Sequence, residues 1–169
     1  MEPFDLLLVE QPVEGLKAMA EVAKNVDAPL MADESVWTSQ DVLAVYEMEA
    51  AKILNVYITK SGGLIKAKKL VHVASVLGLQ CGVGGMVELG VGNAANLHFI
   101  ASSPEISLAC GLPIPYPGDQ ARKSRMACSY YRDTLEKNPP EFKDGWLAVP
   151  TGPGLGIEID EEKIQKYRI

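Results

Sequence analysis

Short apolar runs recur along the first two thirds of the chain, each closed by a polar or glycine-bearing turn and followed by a stretch with helical spacing. The runs at residues 6–10, 29–33, 53–59, 79–83 and 106–110 read as strands, and the stretches at 15–25, 39–49, 64–77 and 92–102 read as amphipathic helices. Ser39 stands where an N-cap belongs, Asn25 and Gly78 stand near helix ends, and Pro29 opens a strand. The repeat length is about 24 residues, and such periodicity constrains a fold more than any single motif. Strands this continuously apolar, each followed by a crossover helix, belong in a parallel sheet covered by helices. That leaves a doubly wound sheet or a TIM-type barrel, between which the period does not choose.

Beyond residue 112 the pattern changes. A proline-rich connection around Pro139 and Pro140 leads into alternating apolar residues near 146–149 and 157–159. These predict two short strands joined by the PTGPGLG turn, with Asp160 capping a last short helix. The expected organisation is α/β, with about five βα units over residues 1–112 and a distinct C-terminal extension over 113–169.

Composition narrows the functional classes. With 169 residues and 47% hydrophobic content the chain can bury one sizeable core. A net charge of −6, with Lys and Arg dispersed, argues against nucleic acid as a partner. The opening MEPFDLLLVEQP has three acids and no basic leader region, so neither a secretory signal nor a membrane span is read there, and a cytoplasmic location is expected. Cys81, Cys110 and Cys128 form no CxxC pair and are expected to be reduced. His72 and His98 fall in predicted helices and read as partly buried structural residues, and the cluster from Arg122 to Arg125 reads as a solvated face.

Candidate chemistry sits at strand ends, because in parallel α/β folds side chains at the C-terminal ends of strands converge. Glu10 ends LLLVE, Asp33 ends PLMAD, and Tyr57 and Lys60 lie near the end of ILNVYITK. Two carboxylates on consecutive strands repel unless a proton or cation lies between them. The alternative is that both merely cap the helices that follow. Asn55, Tyr57 and Thr59 share one face of the third strand, and Lys60 is out of phase with them unless the strand bends. Tyr57 is then the better candidate to face inward, although a core aromatic would show the same pattern.

In these motifs the chain resembles the enolase superfamily, in particular its muconate lactonizing enzyme subgroup. Val9-Glu10-Gln11-Pro12 resembles the fourth-strand motif and Ala32-Asp33-Glu34-Ser35 the fifth, one βα unit apart. LNVYITKSGG from Leu54 to Gly63 resembles the sixth-strand motif, GGMVELGVGNAANLHFIAS the seventh strand with its loop and helix, and VPTGPGLGIEID the C-terminal segment. The resemblance implies the C-terminal portion of a (β/α)₈ barrel. It implies Mg²⁺ held by Glu10 and Asp33, with Glu34 as a supporting hydrogen-bond partner, and proton abstraction next to a small substrate's carboxylate through an enediolate. Glu88 occupies a loop position that approaches substrate in relatives.

The sixth strand departs from the family pattern. Tyr57 stands where relatives carry the acid/base lysine, and Lys60 matches a later basic residue. A phenol is a poorer default base than a desolvated amine, which favours dehydration or cycloisomerisation over two-base racemisation and is equally compatible with lost acid/base function. The family's capping domain, second-strand lysines and third-strand aspartate have no counterpart in the chain. Completion by those elements, or a homo-oligomer, is therefore expected. The alternative to a Mg²⁺-dependent lyase or isomerase is a non-catalytic barrel piece that self-associates and at most binds metal. The loop from Pro113 to Pro117 is a further candidate pocket lining.

Overall fold

Four parallel strands, β1 (Val9–Glu10), β2 (Leu30–Ala32), β3 (Ile53–Val56) and β4 (Gln80–Val83), lie side by side in the order of the sequence. The computed structural model that shows them describes residues 4–86, 88–112 and 133–169. Between the strands run α1 (Leu16–Ala23), α2 (Ser39–Glu47), the one-turn α3 (Ile58–Ser61) and α4 (Leu64–Val76). The strands are shorter than the apolar runs that predict them, but β2 and β3 are buried at every position. Sequence-ordered parallel strands with intervening helices are the units of a TIM-type barrel, here as part of one. Cys128, the 113–117 loop and the cluster from Arg122 to Arg125 lie outside the described residues.

The helices cover the sheet with the spacing that the apolar pattern predicts. In α4 the buried residues Ala67, Leu70, Val71 and Ala74 form one stripe at i, i+3, i+4 and i+7, and α2 packs beside it through Val42 and Val45. Burying a leucine or valine fully contributes roughly 1.5–3 kcal/mol, so Leu30, Leu54, Leu70, Val42 and Val56 anchor this unit. Gly78 ends α4 with a left-handed φ of 74°, and the amides of Gly78 and Leu79 bond back to Ser75 and Ala74. That pattern satisfies the last carbonyls of the helix.

Several local expectations are corrected. The N-cap of α2 is Thr38, not Ser39: its hydroxyl accepts from the Asp41 amide while the Asp41 carboxylate accepts from Thr38 N, a reciprocal pair that Ser39 has no acid three residues on to complete. The third strand stops at Val56, and Tyr57 turns the chain into α3. At the fifth predicted strand the pairing among the described residues is a parallel bridge between Cys81 and Ile106, where Ser107 and Leu108 both donate to the one carbonyl of Cys81. Cys81 is fully buried, and burial, with the Glu105 charge beside it, pushes its thiol up to about 12. His72 is exposed rather than partly buried and faces Glu105 at 3.5 Å.

These elements, with residues 103–110, form one compact unit; residues 85–102 with 111–169 form a second. In the second, α5 (Leu89–Ala101) buries Ala94, Leu97 and Phe99. Its Gly90 amide donates to Thr134 Oγ1, and Glu136, 1% exposed, lies where a Gly90 side chain would begin. His98 is half-buried and meets the Leu155 carbonyl at 3.2 Å, a structural role as expected. The tail strands pair differently from expectation. β5 (Phe142–Lys143) and β6 (Trp146–Leu147) form an antiparallel hairpin through Asp144-Gly145, both at positive φ, the favoured two-residue turn chemistry. Ile159 instead bridges Glu136. Asp160 caps α6 (Glu161–Tyr167) by accepting from the Glu162 and Lys163 amides, as its position predicts.

Candidate active site

The parallel register brings the C-terminal ends of β1, β2 and β3 together. Glu10 closes β1, Asp33 follows β2 directly, and Asn55 sits inside β3. The Asn55 amide nitrogen donates to Glu10 Oε1 at 2.6 Å and lies 3.5 Å from Asp33 Oδ2, so one side chain reaches both acids. Glu10 and Asp33 are thus neighbours across two strands, and neither side chain caps the helix that follows: α1 has Gly15 at its N-cap and α2 has Thr38.

Lys60 reaches the same place. The chain bends at Tyr57, and α3 swings the Lys60 ammonium onto the Asp33 carboxylate, the Asp33 carbonyl at 2.6 Å and the Asn55 carbonyl at 3.1 Å. The out-of-phase reading of Lys60 holds for a continued strand, and the strand does not continue. The ammonium also stands 4.7 Å from the centre of the Tyr57 ring. Tyr57 itself is half-buried, with its hydroxyl close over Gly84 at the end of β4.

A residue that sequence reasoning did not single out holds the loops. Gln11 lies just after Glu10 at φ 34°, a left-handed conformation unusual for a side chain with a Cβ. Its Oε1 accepts from the amides of Asp33 (2.9 Å) and Ser35 (3.3 Å), and its Nε2 donates to Val13 O (2.8 Å) and Ser35 Oγ (2.9 Å). The signal available was its place between a strand-ending acid and a proline. Glu34 points to solvent beside this staple, lining an open depression with Gln11, Pro12, Val13, Glu14, Gly15 and Ser35. Its backbone carbonyl accepts from the Trp37 indole. Glu88 belongs to the second unit, where its Oε2 accepts from the Met86 amide at 2.5 Å.

Burial of its carboxyl raises the Glu10 pKa above the ordinary value, the Asn55 hydrogen bond lowers it, and Asp33 and Glu34 raise it through proximity and charge. Glu10 stands at the sheet edge, and Asp33 crowds its carboxyl from the next strand. Such a pair gains from a cation between its members. Lys60 already supplies one positive charge to Asp33, and both acids offer hard oxygen donors of the kind Mg²⁺ takes. Glu10 and Asp33 therefore fit a divalent cation as two of its ligands. Among the described residues, no group of three or more His, Cys, Asp and Glu side chains is arranged to hold a metal ion.

Comparison with known proteins places the chain among relatives. The family described as enolase C-terminal domain-like matches residues 1–163. Muconate cycloisomerase 1 of Rhodococcus opacus is 33% identical over 162 residues, covering 95% of this chain and 40% of that protein. The N-succinylamino acid racemase of an Amycolatopsis species is 35% identical over 159 residues, covering 93% and 39%. Among solved structures, a muconate cycloisomerase from Azorhizobium caulinodans superposes with a TM-score of 0.79 at 32% identity, covering 98% of this chain and 43% of that one. The chain thus spans about two fifths of the length of these relatives. No helix among the described residues is long and apolar enough to cross a membrane.

Proposed function

The chain belongs to the enolase C-terminal domain-like family, and on that premise we propose that it forms part of a lyase or isomerase in which Mg²⁺ and a small carboxylate substrate meet at Glu10 and Asp33. The observation that carries this reading is the pair of acids at adjacent strand ends, reached by one Asn55 amide. Bound there, Mg²⁺ would supply positive charge to offset the negative charge that builds on a substrate carboxylate as its α-proton leaves. Glu10 and Asp33 would hold it, with the Asn55 amide keeping their side chains together and the Gln11 staple fixing the backbone at Asp33. Tyr57 is the group of this chain proposed to carry the proton, because its phenol stands inside the same rim and adjoins the Lys60 ammonium. Lys60 orients Asp33 and lends positive charge to the rim. Glu34 is assigned a solvating role at the mouth.

The relatives bear the names of a cycloisomerase and a racemase, and the reaction proposed here is of that class: dehydration, cycloisomerisation or racemisation with proton transfer next to a carboxylate. The same reading includes a cytoplasmic protein whose barrel is closed by further elements or by copies of itself. One observation favours a second reading, a non-catalytic piece that self-associates: Lys60 already neutralises Asp33, so the acids persist without a metal.

Isothermal titration of Mg²⁺ into wild type and Asp33→Ala, with the oligomeric state measured on the same samples, separates the two. Binding that vanishes in the variant supports the metal reading and warrants a screen of α-proton exchange on small carboxylates. Absence of binding in a self-associated wild type leaves the non-catalytic reading.

A further inference from the structure

We infer that Asn55 is a positioning residue, fixing the Glu10 and Asp33 side chains in one preset arrangement through a single amide nitrogen. The inference deepens the proposed function and rests on it for the identity of the cation, but the contact itself is a property of the chain alone. Asn55 is 8% exposed, within a strand buried at every position, so its side chain has little room to turn elsewhere. The amide orientation follows from its neighbours. With Nδ2 toward the acids, one N–H bonds Glu10 Oε1 at 2.6 Å and the nitrogen stands 3.5 Å from Asp33 Oδ2. Turned over, Oδ1 would face two carboxylates with no proton to share.

The Asn55 amide also lies tight against a glycine. Gly84, at the end of the neighbouring strand, would place a Cβ 2.6 and 2.8 Å from the Asn55 amide atoms and 2.7 Å from the Tyr57 hydroxyl, closer than real side chains approach. Gly84 is therefore part of the device: its missing side chain leaves the space that the Asn55 amide occupies. Like-charged carboxylates left without the amide separate into water, since nothing else donates to Glu10 among the described contacts. A cation arriving at such a pair would first have to gather its ligands.

The test has two arms on the whole chain. In ¹⁵N-edited NMR of the metal-free protein, at least one Asn55 Nδ2–H signal is expected outside the range of free side-chain amides and to exchange with water about tenfold more slowly than exposed ones. Glu10→Ala and Gly84→Ala should each return it toward the free position. A free-amide signature in wild type overturns the inference whatever the metal does. In the second arm Mg²⁺ is titrated into wild type and Asn55→Ala, with an expected loss of affinity of about 10–100-fold, the usual effect of removing a group that orients a ligand. Equal affinities overturn the inference and leave the proposed function standing. No binding to wild type sinks the proposed metal site instead, and the amide signals then decide the positioning role alone.

Discussion

The Lys60 ammonium grips Asp33 twice, at its carboxylate and at its backbone carbonyl 2.6 Å away, across 27 residues of sequence. Both side chains are nearly buried, at 12% and 16% exposure, so the pair is not screened as a surface ion pair would be. Lys60→Met keeps the length of the side chain and removes the charge. The expected cost is about 2–4 kcal/mol, dominated by the Asp33 carboxylate left without its partner. Urea denaturation measures it, and the double variant Lys60→Met with Asp33→Asn should recover part of the loss. No recovery would mean that Lys60 stabilises through its aliphatic stem rather than its charge.

Gln11 combines four side-chain hydrogen bonds with a left-handed backbone, and these two contributions have opposite signs. Gln11→Ala removes the bonds and keeps the strain, for an expected loss of about 2–3 kcal/mol. Gln11→Gly removes both and should be more stable than the alanine variant by about 1 kcal/mol, because glycine adopts φ 34° without steric cost. Equal denaturation midpoints for the two variants would show that the turn carries no strain.

Asp133 accepts from Lys163 at 2.9 Å, from the Tyr167 hydroxyl at 2.8 Å and from the Thr134 amide, which together lower its carboxyl from 3.8 to about 2. A folded pKa below the unfolded one means that the stabilisation is present above about pH 4 and is lost as pH falls toward 2. The group is only partly shielded from water, so added salt should shrink the effect. Comparing wild type with Asp133→Asn across this window, their stabilities should differ at pH 6 and converge at pH 2. A constant difference would place the effect in packing rather than charge.

Much of the fold was legible because the apolar runs are separated by turns and helices of one repeat length, and the acids worth noticing stand where those runs end. Glu10 and Asp33 were readable for that reason. The place of Lys60 was not, since a strand continued through Thr59 would have aimed it away, and the turn at Tyr57 depends on packing that a period of two does not encode. Asn55 was visible as a residue on the Tyr57 face, yet its two acidic partners lie 45 and 22 residues away and meet it only through the register of three strands. In the tail, the Asp144-Gly145 turn is the stronger local signal, although the segment after Val149 is also rich in proline and glycine. Local chemistry marks turns well; which strand pairs with which is settled by long-range burial.

The fit of Glu136 against Gly90 has a meaning beyond this one chain. Where a carboxyl group occupies the volume that any other residue at 90 would need for its first carbon, the two positions are not free to change independently. Across a family, a larger residue at 90 should occur only alongside a shorter one at 136, so the pair ought to leave a correlated signature in inherited variation even though the two positions are 46 residues apart.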